Sequence, residues 1–202
     1  MKKLILVTLA GLAMAAALPV SAAGDKAAGK EKSAVCAGCH GADGNSMNPD
    51  WPSLAGQGAK YIAKQLKDFK SGNRNDPIMA GQVAALSDQD MEDLAAYFAS
   101  QTAKVGTANE EGLQLGENLF RGGNNANGIA ACTGCHGPSG KGNPMATFPS
   151  LGGQHGKYIA KQLKDFRSGA RANDAGKMMR NVAVRMTDAE IDAIANYVSG
   201  LH

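Results

Sequence analysis

Cysteine is scarce in this chain of 202 residues: there are four, and none lies outside two short motifs. No thiol is left over for a disulfide framework or a nucleophile. Aromatic residues make up 5% of the sequence, too few to fill an ordinary core of this size with rings alone. No stretch alternates polar and apolar residues for long enough to suggest a sheet. After residue 20 no apolar run approaches the length that spans a bilayer. Neither sign of charge dominates: the formal net charge is +3, falling to +1 without Lys2 and Lys3. Residues 23–104 carry 9 Lys/Arg against 10 Asp/Glu, and residues 105–202 carry 10 against 8. That imbalance can orient an encounter but makes no case for nucleic-acid binding.

What is present is concentrated. Cys36-Ala37-Gly38-Cys39-His40 and Cys132-Thr133-Gly134-Cys135-His136 use every cysteine in the chain. In a Cys-x-x-Cys-His pentad two thiols form thioethers to one haem, and the adjoining histidine reaches the iron. A shared zinc site would leave one or both histidines without a role, and a thioredoxin-like dithiol would need a βαβ pattern that is absent. The motifs therefore predict two covalently bound haem c groups, with Cys36, Cys39, Cys132 and Cys135 as attachment points and His40 and His136 on the irons.

The start of the chain reads as an export signal. Lys2 and Lys3 precede an apolar run from Leu4 to Val20, and Val20-Ser21-Ala22 offers the small residues of a cleavage site. Residues 1–22 are expected to be a signal peptide directing the protein to the periplasm. The competing reading is an uncleaved anchor, for which the run is near the lower limit of about 17 residues.

The remainder is a tandem duplication. Lys60 to Phe69 (KYIAKQLKDF) recurs letter for letter as Lys157 to Phe166. In both copies the pentad is followed by a Gly/Asn/Pro loop, an aromatic-Pro-Ser-Leu segment (Trp51 to Leu54, Phe148 to Leu151), Gly-Gln, the repeated helix, Ser-Gly, a methionine and a last helix. Ile62, Leu66 and Phe69 form a helical stripe. Ser87 with Asp90 and Thr187 with Glu190 open the two last helices, the second as a capping box. Short helices are expected over about 26–35 and 110–120, leading into the pentads. The fold class is all-α, two tandem domains over residues 23–103 and 111–202 joined by a linker at 104–110. Units this short bury little surface, so each haem is expected to be structural as well as functional.

An iron held by one histidine needs a ligand on its other face. Only His155 and His202 remain outside the motifs, and they break the symmetry of the repeat. Methionine is the usual partner in cytochromes c. Aligning the copies backward from Ser87 and Thr187, a shift of 100 positions, sets Met79 on Met179. Met178 is the near competitor and Met47 a distant one, while Met91 and Met186 read as core or helix-end residues. A ligating histidine usually donates its second N–H to an acceptor. Pro52 and Pro149, soon after each motif, are candidates for that carbonyl; the alternative is that each proline only starts a turn.

These features together resemble the cytochrome c4 family: the leader, two haem c domains, the Gly-Gln-x-x-x-Tyr-x-x-x-Gln-Leu-x-x-Phe segment in both, and a terminal Gly-Leu-His. The resemblance covers essentially all of the chain beyond the leader. It implies a periplasmic dihaem electron carrier, loosely associated with the membrane, that passes electrons from the respiratory chain to a terminal oxidase. It also implies His40/Met79 and His136/Met179 ligation, carbonyl bonds from Pro52 and Pro149, and domains related by a pseudo-two-fold axis. The alternative is a dihaem cytochrome subunit of a larger oxidoreductase, such as a sulfide-oxidising flavocytochrome. A dihaem peroxidase is disfavoured because both halves carry the methionine.

Overall fold

The computed structural model describes residues 24–202, so the leader assigned to residues 1–22 lies outside the described residues. Among the described residues the architecture is all-α, with two isolated bridges and no strand. In the first half, α1 (Lys26–Lys32) starts at Asp25, whose carboxylate accepts from the backbone N–H of Ala27 and Ala28. A 3₁₀ turn (Ser33–Val35) carries the chain into α2 (Ala37–His40), the single turn that holds the first pentad. α3 (Ala59–Ser71) stops at Gly72, which takes the left-handed φ of 79° that a side chain would resist. α4 (Pro77–Val83) and α5 (Asp88–Ala99) complete the domain.

The second half repeats this order with α6 (Leu113–Gly122), α7 (Thr133–His136), α8 (Gly156–Ser168), α9 (Met178–Ala183) and α10 (Asp188–Ser199). Each half has its own core. Ile62, Ala63, Leu94, Ala95, Tyr97 and Phe98 form the first. Leu119, Phe120, Ile129, Ile159, Leu163, Met186, Ile191, Ile194 and Val198 are among those that form the second. Met91 and Met186 are both buried, as expected of core residues.

The first and last helices of each domain cross at a glycine. A Cβ on Gly29 would overlap the carbonyl oxygen of Asp93 and come within 2.9 Å of Tyr97 Cβ. A Cβ on Gly116 would meet Ala193 O and lie 2.7 Å from Tyr197 Cβ. The absence of a side chain is what lets these helices pack backbone to backbone.

Three local expectations are corrected. The helix expected over about 110–120 begins at Leu113, because Gly112 adopts a left-handed φ of 70°. It also does not run into the second pentad. Gly123 ends it, and a loop closed by paired backbone bonds between Asn124 and Ile129 (2.8 and 2.9 Å) intervenes. Met79 and Met179, expected in loops, lie in the first turns of α4 and α9. Asp76 followed by Pro77 is a helix start, and the Asp76 carboxylate accepts from the N–H of Ile78 and Met79. The capping box read at Thr187 and Glu190 is joined by a second at Ser87 and Asp90, whose carboxylate reaches the Ser87 N–H at 2.8 Å.

The connection between the halves is held at both ends. Asn45 accepts from Lys104 N (2.8 Å) and donates to Thr102 O (3.1 Å). Asn196 accepts from Asn109 N (2.8 Å) and donates to the carbonyls of Asn109 and Glu111.

Gly29→Ala or Gly116→Ala should destabilise its own domain by about 1–3 kcal/mol, the range for overpacking; thermal unfolding of the holoprotein measures it. Bonds from the Ser87 hydroxyl and backbone, with help from Lys32, hold the Asp90 carboxyl down at about 2. A group depressed in the folded state adds stability that is full above its ordinary value of 3.8 and fades as pH falls towards 2. Asp90→Asn should therefore flatten that part of the Tm-against-pH curve and leave Tm less sensitive to acid.

Candidate functional site

Each pentad closes one helical turn. Cys36 and Cys132 cap α2 and α7, and their carbonyls accept from the N–H of His40 and His136, both at 2.9 Å. This brings both thiols and the imidazole onto a single turn. The first cysteine of each pair is the more enclosed. Before haem is attached, burial pushes the Cys36 thiol up and the Cys132 thiol up to about 11. Cys135 is exposed.

The histidines are nearly enclosed, with 7% of His40 and 6% of His136 exposed. His40 Nδ1 lies 2.8 Å from Pro52 O, and His136 Nδ1 lies 2.9 Å from Pro149 O. A carbonyl has no proton to give, so Nδ1 carries the hydrogen and donates it. Nε2 is then the ring's free lone pair, and among the described residues nothing hydrogen-bonds it. Burial pulls both imidazoles below the ordinary histidine value, only partly countered by the proline bonds, which favours the neutral, ligating form.

The other predicted residues fall as follows. Met79 and Met179 are half-buried. Met179 packs against the second core, as does Cys132, whereas Met178 is 43% exposed. Met47 is 97% exposed. His155, a spare histidine, is engaged across the domain boundary: its Nε2 donates to Ser46 O at 2.9 Å.

These residues suit haem rather than a single metal ion. Among the described residues no three His, Cys, Asp or Glu side chains converge on a point that would hold an ion. Two thiols and one imidazole with its lone pair free, set around one turn, match a wide planar group attached at its edge and ligated at its centre.

Comparison with known proteins decides the family. The cytochrome c family model matches residues 26–102 and again 116–202. Cytochrome c4 of Pseudomonas aeruginosa is 55% identical over 182 residues, covering 90% of each chain. The crystal structure of reduced recombinant cytochrome c4 from Pseudomonas stutzeri superposes with a TM-score of 0.87 at 51% identity, over 89% of this chain and all of that one. The chain belongs to the cytochrome c4 family. It is thus an electron carrier and not an enzyme, and it binds two covalent haem c groups. A further relative, from Stutzerimonas stutzeri, is named a thiosulfate dehydrogenase electron acceptor; it is 41% identical over 83% of this chain and 79% of its own length.

In this cytochrome c4 the domain boundary holds the polar residues that sequence reasoning missed. Arg74 and Arg171 are buried, and each stacks over a phenylalanine of its own domain, Phe69 and Phe166, at 4.5 Å. Arg74 donates to Gln65 (2.8 Å), Gln162 (2.8 Å) and Tyr158 (2.9 Å). Arg171 donates to Gln162 (2.7 Å), Gln65 (3.0 Å) and Tyr61 (3.0 Å). Gln57 and Gln154, the second letters of the repeated Gly-Gln, also cross the boundary. The available signal was polar identity in both copies at positions the apolar stripe does not use.

Proposed function

We propose that this protein works in the periplasm, carrying electrons from the respiratory chain to a terminal oxidase, and that His40 with Met79 and His136 with Met179 would hold the two haem irons. The observation that carries the reading is the pair of enclosed histidines, each locked by a proline carbonyl with Nε2 left free. Bound haem iron supplies one-electron chemistry.

The protein's residues set the conditions for it. The carbonyls of Pro52 and Pro149 fix the rings and make the imidazoles better donors to iron. Met79 and Met179 would hold the irons through their thioethers, which would favour the reduced form and leave a small substrate no open iron. Met179 is preferred to Met178 because it faces the core that also receives Cys132, whereas Met178 faces out. Among the described residues no helix is long and apolar enough to cross a membrane. The leader over residues 1–22 supports export, where haem attachment takes place.

A second reading has one observation in its favour. The S. stutzeri relative is named a thiosulfate dehydrogenase electron acceptor; on this reading a dedicated dehydrogenase loads the chain in place of a respiratory complex.

Met79→His should keep the haem attached, lower that centre's potential and roughly halve the weak long-wavelength band of methionine-ligated ferric haem, Met179 keeping the other centre's share; an unchanged band would remove Met79 from the ligand set. Reduced holoprotein mixed with membranes rich in a haem-copper oxidase should be reoxidised in a cyanide-sensitive manner. Rapid loading by a periplasmic dehydrogenase with no turnover by the oxidase would favour the second reading.

A further inference from the structure

The two glutamines at the domain boundary reach the same peptide units that hold the histidines. Gln154, in the second domain, is buried. Its Oε1 accepts from Ser53 N and its Nε2 donates to Ser53 O, both at 2.9 Å. Gln57, in the first domain and equally buried, does the same to Ser150: Oε1 accepts from its N–H at 2.8 Å and Nε2 donates to its carbonyl at 3.0 Å. Each carboxamide thus pairs with the backbone of the opposite domain as another peptide would.

Ser53 N and Pro52 O belong to one peptide group, as do Ser150 N and Pro149 O. The Pro52–Ser53 amide accepts from His40 Nδ1–H at its oxygen (2.8 Å) and donates to Gln154 at its nitrogen (2.9 Å). The Pro149–Ser150 amide accepts from His136 (2.9 Å) and donates to Gln57 (2.8 Å). An amide that donates is polarised and becomes a stronger acceptor. A stronger acceptor draws the Nδ1 proton and raises the basicity of Nε2, which stabilises ferric iron.

We propose that Gln57 and Gln154 are positioning residues that act across the domain boundary, each tuning the haem of the opposite domain through the Pro–Ser peptide and its histidine. The wiring is crossed: the second domain's Gln154 acts on the centre at His40, and the first domain's Gln57 acts on the centre at His136. The effect requires both domains to be docked, so neither centre has its full tuning in an isolated half. This inference rests on the ligation by His40 and His136 proposed above.

The test uses full-length holoprotein carrying Gln154→Ala, Gln57→Ala or Asn173→Ala. The last removes cross-domain bonds to Gln65 (3.0 Å) and to the Asp68 carboxylate (2.6 Å), together with the acceptor of Arg171 Nε (3.0 Å), all away from both Pro–Ser peptides. Chain polarisation of roughly 10–30% on a hydrogen bond between neutral groups gives an expected fall of up to about twofold in the ferric-to-ferrous ratio at fixed ambient potential. That fall should appear at the His40 centre in Gln154→Ala and at the His136 centre in Gln57→Ala, the other centre staying put. In ferrous protein with ¹⁵N-labelled histidine, the Nδ1–H resonance of the affected ring should move in parallel. Asn173→Ala should shift neither centre. If both centres move together in every variant, the boundary has only loosened and the crossed relay is overturned. If the wild-type ferric protein shows no paramagnetic shift of the His40 and His136 rings, the ligation reading falls and takes the relay with it.

Discussion

One hydrogen bond, made twice, organises each domain around its centre: the imidazole Nδ1–H of a pentad histidine to a proline carbonyl, at 2.8 Å in the first half and 2.9 Å in the second. It ties the turn carrying the thiols to a loop twelve or thirteen residues further along. It decides which nitrogen bears the proton and therefore which is free for iron. It also fixes the plane of the ring. Without it the pentad would be a single exposed turn, too short to hold its shape alone.

The second constraint is duplication. Two copies of one sequence meet with matching elements opposed, so residues at equivalent positions find each other across the boundary. Tyr61 bonds Arg171 while Tyr158 bonds Arg74, and Gln57 and Gln154 exchange backbone partners. A buried guanidinium needs acceptors on every side. Here they come from neutral amides and phenols of both copies, which makes the geometry demanding and leaves little freedom for sliding.

Much of this was legible from the residues. The pentads named the chemistry, and the repeated Lys60–Phe69 segment marked α3 and α8. The all-α character followed from the missing alternation. Other features were not legible, for distinct physical reasons. Gly112 closes the start of α6 through a backbone angle, and a glycine does not announce which angle it takes. α9 begins after Lys177 with no side-chain cap; Asp174 instead binds the backbone N and Nε of Arg180 (3.0 and 2.7 Å), a contact no capping pattern predicts. Gln57 and Gln154 stood in the repeat in plain view. Their partners lie about a hundred residues away in the other copy, and such pairing leaves no periodic trace.

The linker's two asparagine clamps have a consequence for how long the halves stay together. A boundary rich in amides and guanidinium groups would, between separate chains, belong to the class of contacts that form and dissolve readily. Covalent joining replaces a bimolecular encounter by an intramolecular one at high effective concentration, and Asn45 and Asn196 shorten the free tether further by pinning its ends. A surface suited to fleeting association is thereby held as a permanent one.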